Sequence, residues 1–176
     1  MIEFVPYDIE VHRDEYIMMN VEYLTRNLDD LDESFQIDSR AMVGRTAQEM
    51  AQGILGAYKD LNPPEGVLYI LMVDGKVSGM GAIKKLGDTV GELKSMYIRP
   101  EYRGKGYGKN RVSKLLETGE ELGFSTFRLD TSKFMVAAQH IYKLAGFRER
   151  DKYPGSDVSA QWEPYWMWME KLGSQS

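Results

Sequence analysis

Seven consecutive residues, Arg103-Gly-Lys-Gly-Tyr-Gly-Lys109, hold the densest chemistry in this 176-residue chain. Gly104, Gly106 and Gly108 alternate with Lys105, Tyr107 and Lys109, and Arg103 stands at the entrance. Glycines let the backbone adopt unusual dihedrals and approach a ligand closely. Successive amides in such a turn point into one concavity and attract an anion. A helix starting there adds its own unpaired amides and the positive end of its dipole. Three basic side chains surround the same hollow, so the stretch is built to seat a phosphate or pyrophosphate. A Walker loop is excluded, because Arg103 holds the place of its first glycine and Asn110 that of its Ser or Thr. A G-x-G-x-x-G dinucleotide loop fails too, since its third glycine would fall on Lys109 or on Arg111. The spacing that fits is Arg-x-x-Gly-x-Gly at Arg103, Gly106 and Gly108.

Other reactive sets are sparse. With no cysteine, disulfides, thiolate metal sites and cysteine nucleophiles are excluded. His12 and His140 stand apart from each other, and two histidines leave almost no ligand set for zinc. No metal is expected. Asp29, Asp30, Asp32, Glu33 and Asp38 lack the spacing of a calcium loop and read as a solvated face. The formal charge of −5 and pI near 5.2 argue against nucleic-acid binding, which wants a basic face. The amino terminus, Met-Ile-Glu-Phe-Val-Pro-Tyr-Asp, lacks the regions of a signal peptide. Val67–Val73, the longest apolar run, is too short to span a bilayer. A cytoplasmic protein with no membrane contact is expected, folded as one domain over residues 1–176.

The elements that must position the glycine stretch follow from periodicity. Ile2–Pro6 alternates as a short strand. Ile17, Val21, Leu24 and Leu28 form a helical stripe, and Asp29–Glu33 is expected to break the helix. Thr46-Ala-Gln-Glu49 fits a capping box, followed by a stripe at Ala47, Met50, Ile54, Tyr58 and Leu61. Asn62-Pro-Pro64 stops that helix. Val67–Val73 and Lys76–Leu86 read as strands joined at Asp74-Gly75, and Gly79 and Gly81 suggest a bulge or close backbone approach. Val90–Ile98 is the next strand and delivers the chain to the glycines. Val112, Leu115, Leu116 and Leu122 make a helix ended by Gly123. Phe127–Leu129 is a short strand parallel to its predecessor. Val136–Leu144 is helical with Ala137, Ile141 and Leu144 on one stripe. Phe147–Arg150 and Trp162–Leu172 complete the strands, before a tail expected to fray.

This order and the loop together resemble the GNAT superfamily of acyl-CoA-dependent N-acyltransferases, over about residues 66 to 150. Tyr142-Lys-Leu-Ala-Gly-Phe147 resembles the tyrosine-x-x-x-Gly-Phe ending of that family. One departure is Met135, where the family often carries Asn. The resemblance implies an α+β fold, a mixed and mostly antiparallel splayed sheet flanked by helices. It also implies acetyl-CoA as acyl donor and direct transfer to an amine on a small molecule or a protein. The pantetheine arm would pair with the strand end at Met96, Tyr97 and Ile98 as a substitute strand. The pyrophosphate would sit on the amides from Arg103 through Gly104, Lys105, Gly106, Tyr107 and Gly108 to Lys109, with Ala138 beside the coenzyme. Tyr142, one turn beyond Ala138 and off the helix stripe, is implied as the acid that protonates the departing thiolate. Glu92, sharing a strand face with Lys94 and Met96 by simple alternation, is implied as the base, directly or through a water, and other carboxylates such as Glu22 could replace it. A main-chain amide near Met96 would stabilise the oxyanion. The rival reading is a non-catalytic acyl-CoA sensor or interaction module. An exposed last strand could pair two copies into a homodimer.

Overall fold

Alternation and turn chemistry build a seven-stranded sheet, described for residues 1–173 by a computed structural model. Its elements are β1 (Ile2–Pro6), α1 (Ile9–Phe35), α2 (Ser39–Val43), α3 (Ala47–Tyr58), β2 (Gly66–Val73), β3 (Lys76–Gly87) and β4 (Val90–Ile98). After a short 3-10 turn come α4 (Tyr107–Glu121), β5 (Thr126–Ser132), α5 (Val136–Leu144), β6 (Arg148–Arg150) and β7 (Trp166–Leu172). The sheet order is β1-β2-β3-β4-β5-β7-β6. All neighbours are antiparallel except β4 and β5. That parallel pair is short, with only Val90, Gly91 and Glu92 opposite Thr126, Phe127 and Arg128. Beyond Glu92 the two strands part and the sheet splays.

Helices cover both faces. Tyr16, Ile17 and Met19 of α1 and Ala51 and Leu55 of α3 pack on Leu68, Ile70, Met80, Ala82 and Tyr97. On the other face Val112 and Leu115 of α4 and Tyr142 of α5 pack on Ile83, Leu93, Phe127, Leu129 and Met169. The capping box forms as expected: Glu49 N–H donates to Thr46 Oγ1 at 3.2 Å, and Thr46 N–H donates to Glu49 Oε2 at 2.8 Å. Gly79 and Gly81 are close approaches. A Cβ at Gly79 would lie 2.6 Å from the Tyr97 carbonyl oxygen, and one at Gly81 2.9 Å from Arg111 Cδ.

Four expectations are corrected. Asp29–Glu33 does not break the first helix, which runs unbroken to Phe35. Buried Leu28 and Leu31 carry the apolar stripe through, while Asp29 and Asp32 turn outward to Arg40. Asp32 also accepts from the Ser39 amide at 2.6 Å. The face of α5 is rotated from the expected stripe: Leu144 is exposed, whereas Tyr142 is buried with Ala138 and Ile141 packed beside it. Gln139 sets that rotation by donating to the carbonyls of Ser132 and Lys133. The last strand starts at Trp166, because residues Ala160–Tyr165 form a 3-10 turn. It also lies between β5 and β6, which pairs with Trp168–Glu170, so it is not the edge strand expected to meet a second copy. The tail at residues 174–176 lies outside the described residues.

Simple alternation also fails in β4. Met80 opposes Tyr97 while Ala82 opposes Lys94, so Ser95 and Met96 together face Gly81 across a β-bulge. Ser95 has φ 52°. The bulge turns Tyr97 to the α1 side and Met96 to the α4 side, reversing the expected face of Met96.

α4 holds the glycine stretch against the sheet through Gly119. A Cβ there would lie 2.5 Å from both Ile83 Cδ1 and Phe127 Cε1, two fully buried side chains. Gly119→Val is therefore expected to lower stability by about 1–3 kcal/mol through overpacking. Urea unfolding of the variant against the parent checks it, through the transition midpoint.

Candidate active site

The split between β4 and β5 opens a cleft of about 600 Å³. Its floor is the end of β4, and its rim is the glycine arc before α4. Met96, Tyr97, Ile98, Arg103, Gly104, Gly106, Tyr107, Gly108, Lys109 and Ala138 line it. Past Glu92, the side of β4 that faces β5 has no strand partner. That leaves a length of backbone free to pair with an extended ligand. Gly104 and Gly106 have φ 74° and 82°, and a Cβ on either would meet nothing within 4 Å. These glycines are thus required by backbone conformation, not by space. Gly108 differs, since its Cβ would fall 2.9 Å from Ile141 Cδ1, where α4 approaches α5.

Gly106 is the N-cap of α4, and no side chain caps that helix. Among the described residues, the amides of Gly104, Lys105, Gly106, Tyr107 and Gly108 have no backbone acceptor, whereas Lys109 and Asn110 donate to the Gly106 carbonyl. Five open N–H groups on an arc fit a pyrophosphate. The basic side chains contribute unequally. Arg103 Nε donates to the Ile98 carbonyl at 2.9 Å, with its guanidinium 5.6 Å from the Tyr97 ring centre. Lys105 turns away from the cleft, donating to the Glu101 carbonyl at 3.1 Å. Its main-chain amide, the group expected to meet an anion, stays on the arc.

Tyr142 lies on the buried face of α5, its ring 6.2 Å from that of Phe147. Burial pushes its phenol upward, the positive charge of Arg111 pulls it down, and Asp130 pushes it up again, for a net upward shift. Arg111 is a cleft residue that the sequence reading passed over. It is buried on α4, donates from Nη1 to the Met80 carbonyl at 3.3 Å, and has no partner for Nε among the described residues. The available signal was an arginine next to the apolar stripe of this helix, opposite a strand glycine. Tyr23, Arg26, Asn27 and Asp30 of α1 form the facing wall. Tyr23 is pushed up to about 12, mainly by burial.

Glu92 does not line the cleft. It ends the paired part of β4 and β5, and its side chain is 1% exposed. Tyr153 donates to its Oε1 at 2.8 Å, and the ammonium groups of Lys94 and Lys84 stand 3.4 Å from Oε1 and Oε2. Lys94 also bonds Asp130 and Asp157, each at 2.7 Å. Burial drives Lys94 down, but Asp130, Glu92 and Asp157 outweigh it and shift the ammonium upward. A carboxylate sealed among two cations and a phenol is shielded from an incoming amine. The carboxylate expected as the base, directly or through a water, thus stands behind the cleft lining. Tyr153, Trp162, Tyr165 and Trp166 stand outside the cleft lining, with Tyr153 and Val158 packed on Trp168.

A family model described as "Acetyltransferase (GNAT) family" matches residues 28–147. An uncharacterised N-acetyltransferase of Schizosaccharomyces pombe is 29% identical over 110 residues, covering 61% of this chain and 68% of that protein. One from Escherichia coli is 31% identical over 97 residues, covering 53% of this chain and 58% of that protein. Among solved structures, a GNAT-family acetyltransferase from Staphylococcus aureus superposes with a TM-score of 0.73 at 20% identity, over 99% of this chain and 100% of that one. The PaiA N-acetyltransferase from Thermoplasma acidophilum, solved with coenzyme A, superposes with a TM-score of 0.69 at 19% identity, over 98% and 99% of the two chains. Those two likenesses establish the fold. No helix among the described residues is long and apolar enough to cross a membrane. Because the family model spans more than half of the sequence, this protein belongs to the GNAT acetyltransferases and is an acyl-CoA-dependent N-acetyltransferase.

Proposed function

We propose that the enzyme moves an acetyl group directly from acetyl-CoA to a primary amine of a small molecule or protein. The observation that carries this reading is the arc of open amides from Gly104 to Gly108, continuous with the unpaired edge of β4. The arc takes the pyrophosphate, and the strand end at Met96–Ile98 takes the pantetheine amides. Such an arrangement points the thioester into the split beyond Glu92. The structural neighbour solved with coenzyme A supports that donor, and one from Salmonella typhimurium solved with acetyl-CoA supports an acetyl group.

The chain's own residues then divide the work. The bulge at Ser95 and Met96 interrupts the register of β4 on β3, and in this reading the Met96 amide holds the carbonyl oxygen as it becomes an oxyanion. The amine nitrogen forms a C–N bond with the carbonyl carbon, the C–S bond breaks, and the amine's surplus proton leaves to water in the open cleft. Tyr142 gives its proton to the departing thiolate and is reprotonated from solvent. Its upward shift keeps the phenol protonated at neutral pH, as an acid must be. Glu92 anchors the charge cluster at the closed end of the split.

Three variants and one pH profile test these roles. Tyr142→Phe is expected to leave coenzyme A affinity in calorimetry near the parent value and to lower kcat by ~10²–10⁴-fold. In the parent, because the phenol is shifted upward, kcat should show no decline attributable to this acid below about pH 10. Unchanged turnover in the variant removes the acid role. Gly106→Val forces a β-branched residue to φ 82°, strain of about 1–3 kcal/mol. Coenzyme affinity should drop in proportion, and retained affinity would displace the pyrophosphate from this arc. Glu92→Gln leaves the Tyr153 phenol and Lys94 with a poorer partner. It should cost up to about 3 kcal/mol of stability in urea unfolding while kcat per folded molecule stays within a small factor. A large fall in kcat with unchanged stability would restore Glu92 as the base.

A further inference from the structure

Arg111 has no part in the transfer described above, and its setting is costly. Its stem passes Gly81 so closely that a Cβ there would crowd Cδ at 2.9 Å. The residue is 7% exposed, and among the described residues its Nη1 reaches only the Met80 carbonyl at 3.3 Å and its Nε has no partner. Among the described residues no carboxylate forms an ion pair with it, and Asp30, the carboxylate of the same cleft, pairs with Arg26 at 3.6 Å. A guanidinium remains charged inside a protein. A buried charge without its counter-ion is strongly unfavourable, so this one is kept for something that arrives. A second group lacks its partner in the same cleft. Asn27 of α1 is 8% exposed, and its Oδ1 accepts no hydrogen bond among the described residues. The cleft therefore carries one unsatisfied cationic donor and one unsatisfied neutral acceptor.

The geometry points to an acceptor that supplies both missing partners: a small amine carrying its own carboxylate, of the amino-acid class. The carboxylate would take the open donors of Arg111 through charge-assisted hydrogen bonds. The amine N–H would donate to Asn27 Oδ1. A neutral amide acceptor suits this place, because a carboxylate there would hold the amine in its protonated, non-nucleophilic form. A polyamine, by contrast, would bring further positive charge against an uncompensated Arg111. The inference rests on the N-acetyl transfer proposed for this cleft and adds the class of substrate.

The test pairs each amino acid with the amine left by its decarboxylation, such as leucine with isopentylamine and lysine with cadaverine. Coenzyme release with acetyl-CoA is measured for both members, in the parent and in Arg111→Met. The parent should favour the carboxylate-bearing member in kcat/KM by about tenfold to a hundredfold, the usual worth of a hydrogen bond to a charged group. Arg111→Met should erase that preference. Calorimetric titration of the same compounds into the coenzyme-loaded protein reads acceptor binding without turnover, and should show the amino acid binding more tightly. Equal or better use of the bare amines overturns the inference, as does failure of every amino acid to bind. An equal loss for both members in Arg111→Met also overturns it, giving the residue to the transition state instead. So does a preference that appears only when succinyl-CoA meets the bare amine, which would put the carboxylate on the donor. Loss of coenzyme binding itself would count against the transfer reading, not against this one.

Discussion

Everything in the cleft depends on one interruption of hydrogen bonding, the parting of β4 from β5 after Glu92. A sheet normally pairs its backbone groups strand to strand, and exposed peptide groups away from water are unfavourable. Here the ladder stops after three residues on one side of β4, while β3 continues to pair on the other as far as Ile98. The open edge is thereby rigid and unsatisfied together. The amides of the glycine arc extend the same condition into the start of α4. A ligand with amides along its length and a diphosphate at its end meets both demands.

Holding the split open requires a strong closure at its other end. The cluster around Lys94 supplies it, with three carboxylates, Glu92, Asp130 and Asp157, drawn onto two lysines and fixed by Tyr153 and Trp166. Buried ion pairs of this kind add little net stability over apolar packing, but they fix one geometry when every partner is present. Lys94 and Asp130 sit on the two strands that separate, so their bond bridges the strands just past the last paired residue. The cluster explains why Glu92 is buried and why its chemistry is spent on structure.

Much of this was legible in the residues. The glycine spacing, the capping box at Thr46, the strand order up to the loop and the tyrosine on α5 depend on local rules, and local rules carry over into the fold. What was illegible depends on long-range contact. The bulge at Ser95 inverts the side of β4 on which Met96 lies, and alternation cannot foresee one extra residue. The rotation of α5 follows from a glutamine bonding to the preceding loop, and the burial of Glu92 from a tyrosine 61 positions away. Arg111 was hidden for the same reason, because a charged residue on a helix reads as solvated until its partner strand is placed. Gly81 gave half of that contact, and only the packing of α4 on β3 gave the rest.

The central claim is that main-chain amides, more than side chains, grip the coenzyme. Titration of coenzyme A into uniformly ¹⁵N-labelled protein, followed by amide chemical shifts, tests it directly. The account predicts that the largest shifts fall on Gly104 to Gly108 and on Met96, with amides of the α3 region unmoved. If those amides stay in place while coenzyme binds and others move, the pyrophosphate lies elsewhere and the account is wrong.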